Sequence, residues 1–436
     1  MPIISILTLL LCLCMPVYLT LATAEQTVTM STMIKQRMLP LQKLPDLDPL
    51  LQRCANKKLI LLGDGTHGSK EFYYLRRLIS MRLVEQQRID FIALEADGYA
   101  CCAIDNYVRA LPGAAATATQ ALQGFTNWRS WIWKNEEMVL LLNQLRSINL
   151  KRPPQQRVAI YGMDMLDYGN SLNYLTTVPG FSAYAQTLQS CLVNSAGISS
   201  PYPAPHPCNA ALENLFQQVT TGARIFPRAM SRADFTNGQH VQVIRNGAAY
   251  YHTQDGINER SWNLRINHFT YSTYQLMKRH GSGARGIIWA HNTHVGDARA
   301  TTMASYDMIS LGQVLRQQLG AENVLLLGQT SYSGTVYACR EWNDPATILT
   351  MPPAADSSTE AMLHANSSAI GMWLFSAQDT ETALNKPRGQ RAIGVIYNPD
   401  VDTTDNYVTT RLTQRYDALI FIDTTTALEP LSVTDN

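Results

Sequence analysis

Seven short apolar runs constrain the fold of this chain more than any other feature: KKLILLG, IDFIALE, RVAIYGMD, RGIIWAHN, NVLLLGQ, RAIGVIY and YDALIFID. Their apolar stretches are four to seven residues of mostly Ile, Val, Leu and Ala. They are too short for helices and lack polar alternation, the pattern of parallel strands buried on both faces. Helical patterns separate them, clearest at residues 69–87, 135–149 and 309–319. Strand and helix alternating in this way predict an α/β fold, a mostly parallel β-sheet core flanked by helices. From 172 to 280 the pattern changes to helices near 183–193, 210–220 and 256–279 and a Pro-rich loop, without a strand signal. A helical insertion or cap is expected there, between core segments 25–171 and 281–436.

The 436 residues are 46% hydrophobic and 16% charged, which excludes a disordered or fibrous chain. Thirty-five basic against thirty-four acidic residues leave a net charge of +1, so no global field draws in nucleic acid or an anionic membrane. Residues 1–24 contain no charged side chain and end in Ala22-Thr23-Ala24 ahead of Glu25. They read as a signal peptide or, if uncleaved, an N-terminal anchor, and predict a secreted or periplasmic protein with no membrane contact after cleavage. Of the six cysteines beyond this leader, Cys191 and Cys208 flank the Pro-rich loop and are the pair expected to form a disulfide.

In an open α/β sheet, ligands collect outside the carboxyl ends of the strands. Four of the runs are followed there by Asp64-Gly65-Thr66-His67-Gly68, by Glu95-Ala96-Asp97, by Asp164, and by His291-Asn292-Thr293-His294-Val295-Gly296-Asp297. Taken singly, Asp64 could be a turn residue, Glu95 and Asp97 helix caps, and each histidine a structural hydrogen-bonder. Together, five carboxylates and three of the nine histidines beyond four strands predict one polar cleft. The chain has no G-x-S-x-G elbow, H-E-x-x-H, Walker loop or G-x-G-x-x-G after the first strand, which disfavours a serine nucleophile or a nucleotide cofactor. Histidines with carboxylates can run hydrolysis by general base catalysis. They can equally hold a metal, since His291-x-x-His294 with Asp297 and His67 offers enough ligands. Trp128, Trp131 and Trp133 lie close together ahead of Asn135-Glu136-Glu137. They are candidates for one wall of the cleft, with core packing the alternative for at least one.

The segments GDGTHGSKEFYYLRRLISMRLVEQ, FIALEAD, WIWKNEEM, IYGMD, IIWAHNTHVGD and YDALIFIDTTTALEPL follow one another in an order that resembles the erythromycin esterase family. The resemblance spans residues 59–431 and implies an α/β core beside a helical domain. It also implies hydrolysis of a small-molecule ester or lactone by water activated on histidine, with no cofactor, no metal and no covalent acyl-enzyme. Carried over by position, His67 is the general base, Glu95 or Asp64 orients it, and His291, protonated or as a donor, stabilises the oxyanion. Arg76 pairs with a site carboxylate, while its neighbour Arg77 suits the surface better. His294, Trp128 and Trp131 are assigned to the substrate. The family has Glu where Asp64 stands, and one methylene fewer shortens the reach by about 1.5 Å. Two rivals remain open: a metal- or porphyrin-binding protein on the same scaffold, and a metal-dependent hydrolase.

Overall fold

A computed structural model of the protein describes residues 31–127, 129–195, 208–222, 230–252, 258–367 and 370–431. The expected leader and Trp128 lie outside the described residues. Six of the seven runs become strands of one sheet: β2 (Leu59–Asp64), β3 (Phe91–Asp97), β4 (Ala159–Asp164), β5 (Gly286–His291), β6 (Val324–Ala338) and β11 (Ala418–Thr425). With β1 (Leu39–Pro40) and β8 (Ile370–Leu374) the order is β1-β8-β11-β6-β2-β5-β3-β4. From β11 to β4 every neighbouring pair is parallel, while β1 and β8 join antiparallel at the other side. The second half of β6 forms an antiparallel arm with β7 (Thr347–Met351). The chain therefore has the mostly parallel α/β core expected of it.

Side chains along each parallel strand alternate between two apolar layers, as a period of two requires. Ile60, Leu62, Ile92, Leu94, Ile287 and Trp289 face the layer covered by α1 (Lys70–Gln86) and α3 (Glu136–Leu150). Leu59, Leu61, Phe91, Ala93, Ile288 and Ala290 face the layer covered by α8 (Glu259–His280) and α9 (Leu311–Leu319). Burial on both faces is why these strands read as unbroken hydrophobic runs.

RAIGVIY does not join this sheet. β9 (Arg388–Arg391) only touches its start and pairs antiparallel with β10 (Tyr407–Thr410) in a separate two-stranded sheet. Ile393 and Ile396 make isolated bridges to Thr66 and Cys339. The interior positions beside β6 are already taken by β2 and β11, so this run crosses over the strand ends instead.

Between β4 and β5 the described residues form α4 (Tyr168–Leu175), α5 (Ser182–Ser195), α6 (Asn209–Gly222), α7 (Arg232–His252) and α8, with no strand among them. α4 to α7 share a small apolar cluster including Leu172, Leu188, Leu215 and Val241, and the Cys191–Cys208 disulfide ties α5 to the start of α6. No described helix is long and apolar enough to cross a membrane.

Candidate active site

β2 delivers Asp64 at its last residue, fully buried. The following loop lies so close to the β6 arm that a Cβ at Gly68 would sit 1.9 Å from the Tyr337 carbonyl oxygen, so only glycine fits there. This packing brings His67 back over the strand end, with Nδ1 3.4 Å from Asp64 Oδ1. α1 then starts, and Arg76, two turns along, places a guanidinium nitrogen 2.8 Å from Asp64 Oδ2. The guanidinium also stacks over the rings of Tyr73 and Trp289, 4.4 and 4.7 Å from their centroids.

Burial opposes ionisation of Asp64, but Arg76 and His67 outweigh it and hold the carboxyl below its usual range. Burial likewise disfavours charge on His67, yet Asp64, aided by the field of Glu95, wins and raises the imidazole above 6.5. In the neutral ring, Nδ1–H faces Asp64 and Nε2 is left as the basic nitrogen.

A second ionic group lies beside the first. Glu95 of β3 accepts from the backbone N–H of His291 at 2.8 Å and contacts His294 Nε2 at 3.1 Å. Arg265 of α8 forks between Glu95, at 2.8 Å, and Asp164 at the end of β4, at 2.6 and 3.1 Å. His294 is sandwiched, stacked on Trp262 at 4.6 Å and edge-on to Phe269 at 5.4 Å. Burial works against both carboxylates, but His294 and Arg265 hold Glu95 well below the usual range, and Arg265 keeps Asp164 low.

His291 lies 5.0 Å from His67, ring centre to ring centre. Its Nδ1 accepts from the Thr293 backbone N–H, which leaves the proton on Nε2. Burial, reinforced by His67, pushes this imidazole down to about 3. Of the two forms expected of His291, the neutral donor is therefore the one this environment favours.

His67, Glu95, His291 and His294 line one cleft of about 500 Å³, with Asp97, Asp164, Trp133, Trp262 and Arg265 on its walls. Asp64 and Arg76 stand behind His67 without lining it. Glu95 does not orient His67; it is occupied by Arg265, His294 and the His291 backbone, and Asp64 holds the ring. Trp131 is turned away from the cleft, edge-on to Tyr337 at 5.4 Å, because the single turn at Ser130–Ile132 alternates it with Trp133, which lines the wall instead. Arg77 is buried as well and pairs with Glu137 at 2.8 Å, since α1 packs between the sheet and α3 and has little open surface. Asp97 caps α2 (Gly98–Val108) through Tyr99 N–H, and Asp297 caps the turn after β5 while pairing with Arg299. Among the described residues no three His, Cys, Asp or Glu side chains converge with metal-ligand spacing.

Arg265 is not among the residues expected from the sequence. A signal existed: Trp262, Arg265 and Phe269 share one helical face, and an arginine between two aromatics on an inward face suits a buried anion.

Fold and site together define a class: α/β proteins with a histidine and carboxylate cleft at the carboxyl ends of a parallel sheet, roofed by helices. Within it, this chain belongs to the erythromycin esterase family of esterase-like hydrolases, whose model matches residues 84–425. Three solved structures share the fold. A succinoglycan biosynthesis protein superposes with a TM-score of 0.71 at 16% identity, covering 93% of this chain and 98% of that one. A Bacillus cereus protein gives 0.70 at 18% identity, covering 93% and 99%. A mutant of the erythromycin esterase EreC in its open conformation gives 0.61 at 14% identity, covering 91% and 97%.

Proposed function

We propose that this protein cleaves an ester or lactone by direct attack of water, with His67 as the general base. The observation that carries the reading is the chain Arg76–Asp64–His67, in which a pinned buried carboxylate fixes the tautomer of an imidazole facing the cleft. Nε2 of His67 takes a proton from water as its oxygen bonds to the acyl carbon. His291 Nε2–H donates to the oxyanion, a role a neutral imidazole can fill. As the tetrahedral intermediate collapses, the acyl–oxygen bond breaks and the His67 imidazolium returns the proton to the leaving alkoxide. The His67–Asp64 contact is long for a hydrogen bond, and such contacts commonly tighten when substrate binds.

Aromatic walls at Trp133, Trp262 and Tyr250 suit a substrate with a large apolar body, of which a macrolide lactone is the family's example. Export belongs to the same reading, supported by the Cys191–Cys208 disulfide, a bond at home in an oxidising compartment. The test is mass spectrometry after incubation with erythromycin and a panel of esters and lactones, with and without chelator. Addition of one water, resistant to chelator and lost in His67→Ala, is the expected result. Hydrolysis that His67→Ala retains, or that chelator abolishes, overturns the mechanism.

A further inference from the structure

β4 is the terminal strand of the sheet, and a second cavity of about 540 Å³ runs beside it. It shares β4, α7 and α8 with the catalytic cleft but no lining residue. Helical spacing builds its walls: Arg232, Phe235, Gln239 and Val243 recur on one face of α7, and Ser272, Gln275 and Arg279 on one face of α8.

Charge on these walls is unbalanced. Arg88, Arg109, Arg232 and Arg279 face two carboxylates, Asp90 and Asp105. Asp105 is already shared by Arg232 at 2.8 Å and Arg109 at 3.4 Å, and its other oxygen accepts the Ile160 N–H on the edge of β4. Asp90 pairs with Arg88 and accepts the Arg285 N–H. Arg279 has no carboxylate partner among the described residues; it donates to the Met230 carbonyl and lies over the Phe235 ring.

Deeper in, the cavity is aromatic. Tyr161 meets Phe235 and His280 edge-on, at 6.2 and 5.9 Å. Burial pushes His280 and His240 down to about 4, so both are uncharged at neutral pH. On the wall, Gln275 Oε1 is buried without a donor among the described residues, a place for an N–H or O–H on the ligand's body rather than for its charge.

We propose that this cavity binds a small organic anion with a flat apolar body, its charge on Arg279 and Arg232 and its rings against Phe235 and Tyr161. The volume falls within the range of small-molecule sites. A cationic rim over an uncharged aromatic interior selects an anion over a neutral molecule of the same shape.

The test titrates the full chain with 8-anilinonaphthalene-1-sulfonate and, in parallel, with the uncharged N-phenyl-1-naphthylamine, following fluorescence. One sulfonate should bind per chain, at least tenfold tighter than the neutral dye. Arg279→Gln should weaken the sulfonate about tenfold and leave the neutral dye unchanged, as expected for loss of one charge-assisted contact. Val243→Trp, which fills the cavity, should abolish binding of both dyes, with folding verified by circular dichroism; if that variant does not fold, Arg279→Gln alone decides. His67→Ala and Trp262→Ala should not alter binding. Equal affinity for the two dyes, insensitivity to Arg279→Gln, or loss of binding in Trp262→Ala overturns the proposal. None of these readouts depends on ester hydrolysis.

Discussion

Asp64, His67 and Arg76 come from thirteen consecutive residues, the end of one strand and the start of one helix. Glu95, Asp164, Arg265 and His294 come from the ends of three strands and the middle of a helix in the segment between β4 and β5. The two groups sit in one cleft yet do different things with charge. In the first, a carboxylate shared by an arginine and a histidine raises His67, so an imidazole that gains and loses charge faces the cleft. In the second, one guanidinium answers two carboxylates, which it keeps ionised while its own charge is held by them. A histidine whose charge can change is thus set beside a fixed ionic tie that joins the helical segment to the sheet. In the proposed mechanism, separating the tasks lets His67 change charge while its surroundings keep theirs.

The largest effect expected from breaking this division is on turnover. His67→Ala should lower kcat/KM for a hydrolysed ester by about 10³-fold, within the range of general base catalysis, with an unchanged circular dichroism spectrum. An alanine variant retaining a tenth of the activity would move the base elsewhere.

Removing the tie should cost stability. Arg265→Ala strands Glu95 and Asp164 as buried like charges and should destabilise the fold by about 3–5 kcal/mol in urea unfolding. Arg76→Ala strands only Asp64 and should cost an amount in the same range. An Arg265→Ala loss under about 1 kcal/mol would mean that apolar packing of α8 holds the roof without the ion pairs.

The pH profile sharpens the comparison. Because His67 is raised in the fold, its neutral, base-competent form grows as pH rises through that value, so kcat/KM should increase with a midpoint above 6.5. The stability His67 gains from Asp64 runs the other way: it is complete below 6.5 and lost as pH rises through the folded value. Asp64→Asn removes the charge that raises His67 and should shift the activity midpoint down. A midpoint that stays in place would show that Glu95, not Asp64, sets the base.

The smallest effect concerns the sandwich around His294. Trp262→Ala removes the stacked ring and should raise KM with little change in kcat. A kcat loss as large as that of His67→Ala would place His294 in the chemistry itself.

Much of the core was legible because a strand buried on both faces must be apolar throughout, and a polar residue at its carboxyl end stands out against that run. Asp64, Glu95, Asp164 and His291 were visible in this way. Helices were legible where apolar spacing was regular: residues 135–149 became Glu136–Leu150, and 309–319 became Leu311–Leu319. RAIGVIY misled because an apolar run records burial, not the partner that buries it; Ile393 is fully buried above the strand ends, outside any strand. β8 was overlooked because Gly371 and Met372 dilute the β-branched signal of a five-residue run that pairs antiparallel with β11.

Sequence alone determined the alternation of strand and helix and the polar residues that end the strands. These depend on periodicity and near neighbours, which a linear chain states openly. Arg76 entered only through the family resemblance, and the choice between Asp64 and Glu95 stayed open. Tertiary structure decided which carboxylate holds which cation. Glu95 turned from His67 to Arg265 and His294, Trp133 replaced Trp131 on the cleft wall, and Arg77 went inward. Such choices are fixed by distances between segments as far apart as residues 95 and 265, and a buried charge takes whichever partner the packing brings within reach.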